Sequence, residues 1–290
     1  MRCRKLKMIK FGPSGTCADF SAAGHAHTIE VPAWLKEHDL DCFEYSFGRG
    51  VRIGESSARA IGAEFAASGA EISVHAPYFI NLATLEEEKA ENNHRYIFES
   101  LAALSLFGGR RCVIHPGSPL KAERGQAMDL LMKRLEKVAE LKHELGYDDM
   151  YLCLETMGKA AQLGSLDEVI RMCGVDDSFI PCIDFGHLNA REGGIFFTDD
   201  DYVRVIERLA EGVGEKKCSI MHVHFSKIEF SAKGEVRHLT FDDEKYGPPY
   251  EPLMRVFKKF ALSPYIVCES AGTQTRDAQA MKRYYYGLDA

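Results

Sequence analysis

FIPCIDFGH, residues 179–187, combines the two features that decide the fold. It begins with a short, nearly uninterrupted apolar run, which is typical of a parallel β-strand covered on both faces. The run ends in Asp184, and His187 follows in the next few residues. A carboxylate and an imidazole at the end of such a strand are typical of the C-terminal face of a β/α barrel, where functional side chains gather.

The same kind of run recurs along the chain. Eight runs occur, at residues 8–12, 42–47, 71–76, 111–117, 150–155, 179–186, 220–226 and 265–270. Segments with apolar residues at three- and four-residue spacing, typical of helices, separate most of them. Ser165 and Glu168 form a predicted capping box, and Pro252 lies in the predicted first turn of another helix. The sequence therefore predicts an α/β protein, a single (β/α)8 TIM barrel over residues 1–290.

Composition limits the number of domains and the cellular location that we expect. The chain has 290 residues, 46% hydrophobic and 27% charged, which suits one large domain with a full core. It contains no apolar window of about 18 residues that could span a bilayer. The basic start MRCRKLKMIKFG lacks the apolar segment of a secretory signal, so we expect a cytoplasmic protein without membrane attachment. Nine cysteines without CxxC spacing, largely inside apolar runs, indicate a reducing compartment.

The formal net charge of −7 argues against a generally basic nucleic-acid-binding surface. That count, however, includes carboxylates whose charge bound cations would neutralise. The charge alone therefore does not exclude a polyanionic substrate.

Histidines and carboxylates stand at the ends of six of the eight runs. They are His75, His115, Glu155, Asp184 with His187, His222 with His224, and Glu269. Strand ends of a barrel converge on one mouth, where several carboxylates without counter-charges would repel each other. Divalent cations offset that repulsion, and imidazole with carboxylate suits zinc or manganese. The sequence therefore predicts a metal site at the C-terminal mouth.

Seven dispersed motifs resemble those of one enzyme family in the same order and at comparable spacing. They are HAPYFINLA (75–83), HPGS (115–118), LET (154–156), CIDFGH (182–187), MHxxxxK (221–227), RH (237–238) and ES (269–270). The family is the endonuclease IV family of apurinic/apyrimidinic endonucleases, in the xylose isomerase-like TIM barrel superfamily. The resemblance implies a zinc-dependent enzyme of base excision repair. Its partner would be duplex DNA with an abasic site, which it would cut as a monomer on the 5′ side to leave a 3′-hydroxyl.

The resemblance also implies roles for individual residues. One metal would be held by His75, His115 and Glu155. Glu155 would bridge to a second metal, held also by Asp184, His222 and Glu269. The cofactors would be two or three Zn²⁺, with Mn²⁺ as an alternative at one site. Glu155 and Glu269 would be the catalytic residues, which orient the hydroxide that attacks phosphorus.

The third metal would take His187 and His238, but here the sequence departs from the family pattern. Val236 replaces the expected aspartate, and valine cannot bind a metal. Glu235 is our first choice of substitute, because this segment is one residue longer than in the family. His224 is the second choice, since it shares the inward face of His222 two positions away. The alternative is an incomplete site.

Two loops bear on DNA binding. Tyr78 matches a tyrosine that, in the family, enters the duplex beside the lesion. Arg49 and Arg52 lie in SFGRGVRIG (46–54), a glycine-containing loop that suits phosphate contact or stacking. An ordinary solvated loop is the alternative interpretation of both arginines.

Two other functions remain open. Sugar isomerases and epimerases on the same type of barrel use about four ligands around one divalent ion. That number would leave four histidines without a role: His75, His115, His187 and His238. The second alternative is a protein that binds DNA lesions without cleaving them. Fold similarity alone does not decide between these chemistries.

Overall fold

A ring of eight parallel strands forms the centre of the computed structural model, which describes residues 8–288. The strands are Lys10–Pro13 (β1), Cys42–Ser46 (β2), Glu71–His75 (β3), Arg111–Ile114 (β4), Tyr151–Glu155 (β5), Phe179–Asp184 (β6), His222–Phe225 (β7) and Tyr265–Cys268 (β10). Their order around the sheet is β1-β10-β7-β6-β5-β4-β3-β2. Each of the eight predicted apolar runs overlaps one of these strands, so the predicted TIM barrel is confirmed.

Helices cover the outside of the strands. They are Ala18–Ala22 (α1), Val31–Glu37 (α2), Glu55–Ser68 (α3), Glu87–Phe107 (α4), Arg124–Glu144 (α5), Leu166–Cys173 (α6), Phe185–Arg191 (α7), Asp199–Ser219 (α8, interrupted at Gly214), Tyr250–Lys259 (α9) and Gln274–Gly287 (α10), with a 3-10 turn at Thr28–Glu30. The predicted capping box begins α6, where the Glu168 amide donates to Ser165 Oγ and the Ser165 amide donates to the Glu168 carboxylate. Pro252 lies in the first turn of α9, as predicted.

Strand register determines which side chains share a layer inside the barrel. Cys182 of β6 pairs with His222 of β7, and Asp184 pairs with His224. Because side chains alternate between the two faces of a strand, all four point to the same face. The His224 layer lies nearer the C-terminal mouth, and the His222 layer lies one step deeper.

A two-stranded hairpin follows β7 and lies outside the barrel sheet. It consists of Ile228–Ser231 (β8) and Gly234–His238 (β9), which pair antiparallel. The Glu235 amide donates to the carbonyl of Gly158 at 3.0 Å. A Cβ at Gly158 would lie 2.7 Å from the Glu235 Cβ, so glycine is required for this close approach. The hairpin is thereby fixed against the loop after β5, and it carries two of the predicted site residues, Glu235 and His238.

The expectations about membrane spans and cysteines can be compared with the described residues. No helix within residues 8–288 has the length and apolar character needed to cross a membrane. Eight cysteines lie in this part of the chain, and all eight are buried free thiols. The ninth, Cys3, lies outside the described residues.

The barrel closes where β1 meets β2, and Gly12 makes this closure possible. A parallel bridge joins Ser14 to Glu44, and the Gly15 amide donates to the Glu44 carbonyl at 2.9 Å. A Cβ at Gly12 would lie only 1.7 Å from the carbonyl oxygen of Cys42. Any side chain at this position would therefore push the two strands apart.

We expect Gly12→Ala to lower the free energy of unfolding by about 3 kcal/mol or more, because the clash is with rigid backbone. Equilibrium denaturation in urea measures the change. Gly125→Ala is the matched control, since a Cβ at Gly125 in α5 meets nothing within 4 Å. A Gly12→Ala protein as stable as the control would show that β1 and β2 can separate without cost.

Candidate metal centre

Glu155, at the end of β5, is the centre of the barrel mouth, although only 1% of its side chain is exposed. Its Oε2 lies 3.2 Å from Nε2 of His75 and 3.0 Å from Nε2 of His115. Its Oε1 lies 3.3 Å from Nδ1 of His187 and 3.3 Å from Nδ1 of His224. Four imidazoles from four strand ends therefore surround one carboxylate. His75 and His115 thus both contact Glu155, as the resemblance implied, whereas the metal-type group with ligating atoms within 4.8 Å of one another consists of His75, Glu155 and His224.

A second group shares Glu155 and contains Asp184, His224 and Glu269, with one ligating atom of each residue within 4.8 Å of the others. The resemblance placed His222 in this group, and the structure places His224 there instead. The reason is the strand register, because His224 lies beside Asp184 whereas His222 lies beside Cys182, one layer deeper. His222 Nε2 instead faces the Glu44 carboxylate at 3.0 Å.

A third group consists of His187, Glu235 and His238, again with ligating atoms within 4.8 Å of one another. His187 Nε2 lies 3.5 Å from Glu235 Oε2, and His238 Nε2 lies 4.0 Å from Glu235 Oε1. Val236 is 53% exposed and belongs to none of the metal-type groups found among the described residues. Glu235, the first choice from the sequence, thus occupies the place beside both histidines. His224, the second choice, belongs to the Asp184 group.

Hydrogen bonds orient four of the mouth histidines in the same way. Each has Nδ1 bonded to a protein oxygen: His75 to the Ala76 carbonyl, His115 to the Tyr78 carbonyl, His187 to the Thr156 carbonyl, and His238 to Ser226 Oγ, at 2.8 to 3.2 Å. Nε2 of each ring is then free to face the carboxylates. This arrangement is typical of metal-binding histidines, whose second nitrogen is usually held by a protein oxygen.

Electrostatics at the mouth favours a cation. Burial opposes the charge of Glu155, yet His115 and His224 hold the pKa of its carboxyl well below the usual value. Burial lowers the pKa of His75, but the hydrogen bond and charge of Glu155 outweigh it and raise this pKa to about 9. Protons shared with imidazoles thus balance the carboxylates, and divalent cations would displace them.

Asp184 provides a direct test of whether the mouth suits a metal. Its Oδ1 accepts the His187 amide at 2.8 Å and so caps α7. Its Oδ2 is buried and lies 3.2 Å from His187 Nδ1, but it accepts no hydrogen bond among the described residues. Burial raises the pKa of Asp184 and the charges of Glu269 and Glu155 add to this effect, although the charge of His187 opposes it. An orphaned oxygen among imidazole nitrogens and carboxylates fits a divalent cation of the zinc or manganese type.

The predicted DNA-contacting residues lie on the loops after β2 and β3. Tyr78, in the loop after β3, is 54% exposed and borders a cavity of about 390 Å³ that also contains Glu155 and Lys159. Its amide donates to the Gly48 carbonyl at 3.3 Å, which joins this loop to the loop after β2. Arg49 and Arg52 are exposed in that second loop. The structure therefore brings the two predicted loops together.

Glu44, on β2, is a site residue that the sequence did not reveal. It is fully buried and lies 2.9 Å from His224 Nε2 as well as 3.0 Å from His222 Nε2. The run CFEYSF offers one signal, a charged residue in the middle of an apolar strand. Burial lowers the pKa of His222 to about 4, so its ring is neutral at pH 7.

A family model described as the xylose isomerase-like TIM barrel matches residues 32–285. The chain belongs to this family. The resemblance of its motifs to endonuclease IV is supported by relatives and by a solved structure.

The relatives include both uncharacterised and endonuclease proteins. An uncharacterized protein of Methanocaldococcus jannaschii is 30% identical, over 96% of this chain and 97% of its own length. A protein named "Probable endonuclease 4" from Mycoplasmoides gallisepticum is 28% identical, over 68% of this chain and 63% of its own length. The chain thus matches somewhat less than two thirds of that endonuclease relative.

Solved structures show the same fold with different titles. A D-tagatose 3-epimerase-like protein superposes with a TM-score of 0.72 at 16% identity and covers 97% of this chain and 98% of its own. Endonuclease IV from Thermus thermophilus superposes with a TM-score of 0.68 at 18% identity and covers 96% of this chain and 99% of its own. At these identities the likeness establishes the barrel and leaves its chemistry to be argued from the site.

If Glu235 completes the third group of this xylose isomerase-like barrel, Glu235→Gln removes one metal ion per chain, because two imidazoles alone form an incomplete shell. Elemental analysis of protein purified without chelator measures the number. Glu229→Gln is the control, since Glu229 lies on the same hairpin but pairs with Arg237 at 2.7 Å. An unchanged metal content in Glu235→Gln would show that Glu235 is not a ligand.

Proposed function

We propose that this protein is a metal-dependent endonuclease that hydrolyses the DNA phosphodiester 5′ to an abasic site and leaves a 3′-hydroxyl. The observation that carries the proposal is the number of metal-type groups at the mouth. Three groups adjoin: His75 with Glu155 and His224, and Asp184 and Glu269 with the same Glu155 and His224, while the third group is joined to them by the 3.3 Å contact between Glu155 and His187. A multi-metal mouth suits phosphodiester hydrolysis, since both the attacking and leaving oxygens need positive charge.

The cofactors of this proposal are two or three zinc ions, with manganese as an alternative at one site. They would be held by His75, His115, Glu155, Asp184, His187, His224, Glu235, His238 and Glu269. Zinc bound in such a site lowers the pKa of water towards neutrality and neutralises charge on phosphoryl oxygens. His222 is left out of this set because it lies beside Cys182, one layer below Asp184 and the mouth.

Glu155 and Glu269 are the catalytic residues of the proposal. Burial opposes ionisation of Glu269, yet His224 and then His238 lower the pKa of its carboxyl. Glu269 is therefore an anion at neutral pH, able to accept a proton or hydrogen bond from an attacking water. Its backbone is fixed by the amide hydrogen bond to the Phe225 carbonyl at 2.9 Å. Glu155 places a second carboxylate on the same cavity, so the two acceptors can orient water between them.

Binding of a polyanion is compatible with the negative net charge, because four of the carboxylates, Glu155, Asp184, Glu235 and Glu269, lie in metal-type groups where cations would neutralise them. Tyr78 and Lys159 are exposed and line the mouth cavity, and Arg49 and Arg52 are exposed in the loop after β2. The arginines and the lysine can contact phosphates, and Tyr78 can stack in the space left by the missing base. The proposed partner is duplex DNA with an abasic site, bound by one copy of the chain.

A second candidate function is sugar epimerisation at a single divalent ion. Glu155, Asp184, His224 and Glu269 form a four-ligand group by themselves, which is the number such a site needs. The fold likeness to a D-tagatose 3-epimerase-like protein is of the same order as that to endonuclease IV. This candidate gives no role to the third group or to the exposed Tyr78.

The deciding experiment uses a 5′-labelled duplex with one tetrahydrofuran abasic analogue. We expect metal-replete protein to nick it 5′ to the analogue, strong chelation to abolish nicking, and Glu269→Gln to lower kcat by at least about 100-fold with little change in affinity. An intact duplex together with epimerisation of a ketose would establish the second candidate. Tight, lesion-specific binding without nicking would indicate a lesion-binding protein.

We expect Tyr78→Ala to reduce the preference for abasic over intact duplex by roughly 5- to 150-fold, from a stacking contribution of about 1–3 kcal/mol. The measured quantity is the ratio of the two Kd values. Tyr78→Phe is the control, because it keeps the ring, and both variants keep the backbone carbonyl that orients His115. An unaltered ratio in Tyr78→Ala would make Tyr78 a rim residue without a role in recognition.

A further inference from the structure

A fourth group of metal-type residues lies beneath the mouth, inside the barrel. Cys182, His222 and His224 each offer a ligating atom within 4.8 Å of the other two. The Glu44 carboxylate contacts both imidazoles, at 3.0 Å from His222 Nε2 and 2.9 Å from His224 Nε2. All four side chains belong to residues with 0% exposure. Of these four, only His224 also faces the mouth groups described above.

Several polar atoms of this interior group lack partners. Among the described residues, both ring nitrogens of His222, Nε2 of His224 and Oε1 of Glu44 are buried without a hydrogen bond. The short distances between imidazole and carboxylate thus lack the alignment that a hydrogen bond requires. Buried polar groups without partners are unfavourable, so such a concentration of them indicates a missing ligand.

The neighbouring side chains do not satisfy these atoms, because their own hydrogen bonds are directed elsewhere. Ser73 Oγ donates to the other carboxylate oxygen of Glu44 at 3.0 Å. Tyr265 stacks on the His222 ring at a centroid distance of 5.0 Å, and its hydroxyl donates to the Phe43 carbonyl at 3.2 Å. Arg111 donates to the Ile220 carbonyl at 3.0 Å.

We propose that Cys182, His222, Glu44 and Nε2 of His224 bind a divalent cation of the zinc class in a closed site beneath the mouth. Two imidazoles and a thiolate are ligands that zinc prefers, and the carboxylate provides the fourth. The thiolate and carboxylate together carry two negative charges, which balance the cation in the barrel interior. Four protein ligands leave no open position, so this ion has a structural role and takes no part in the reaction at the mouth.

His224 would connect the interior site to the mouth. Its Nε2 faces Glu44, whereas its Nδ1 faces Glu155 at 3.3 Å and Glu269 at 3.7 Å. Both nitrogens can bind cations only when the ring has lost both protons. A cation below would then hold the orientation of this ring. The site does not depend on which reaction the mouth catalyses.

Cobalt substitution tests the proposal, because Co²⁺ bound to a thiolate gives an intense near-ultraviolet charge-transfer band that nitrogen and oxygen ligands do not produce. Since the site is closed, the protein is produced in cobalt-supplemented minimal medium so that the ion can enter during folding. We expect the wild-type protein to show this band and to contain one more cobalt ion per chain than Cys182→Ser, which loses the band.

Two controls separate the interior site from other thiols and from the mouth. Cys153→Ser changes a buried thiol of the same interior cluster that lies outside the metal-type group, and it should keep the band. Glu269→Gln changes the mouth and should also keep it. A wild-type protein without the band, or a Cys182→Ser protein that retains it, would overturn the proposal. A wild-type protein without the band overturns the proposal even if Cys182→Ser does not fold.

Discussion

The negative charge of Glu155, buried at the inner end of the barrel mouth, determines how the rest of the site is arranged. A carboxylate in this position is tolerated only with opposite charge close by. Four strand ends provide it as imidazoles within 3.3 Å of its two oxygens. The charge of Glu155 thus favours imidazoles as its neighbours. The same arrangement can bind divalent cations in place of the protons that imidazoles and carboxylates share.

The barrel positions these groups through its simplest geometric property, the alternation of side chains along each strand. His222 and His224 both point inward, but they lie in different layers. His224 joins Asp184 and Glu155 at the mouth, and both His222 and His224 face Glu44 of β2 inside the barrel. A polar interior of this kind explains why a fully buried glutamate occurs in the middle of an apolar strand.

The hairpin after β7 extends the mouth beyond what the barrel itself provides. It places Glu235 and His238 over His187, at a position where the family pattern predicted an aspartate at Val236. The hairpin is held in this position by the contact of Glu235 with Gly158, where a side chain would not fit. The extra residue in this segment and the close glycine together move the carboxylate into place.

The amino-acid sequence by itself determined the eight strands, because apolar runs bounded by helix signals encode burial locally. It also located His75, His115, Glu155, Asp184, His187 and Glu269, since strand ends of a barrel must converge, and the resemblance of the RH motif located His238. Glu235 was predicted as well, from the length of one segment. Only the tertiary structure decided which of His222 and His224 lies in the Asp184 group, and only it placed Glu44 in contact with both histidines. The layer that a side chain occupies depends on the register between strands 40 or more residues apart, which no local pattern records.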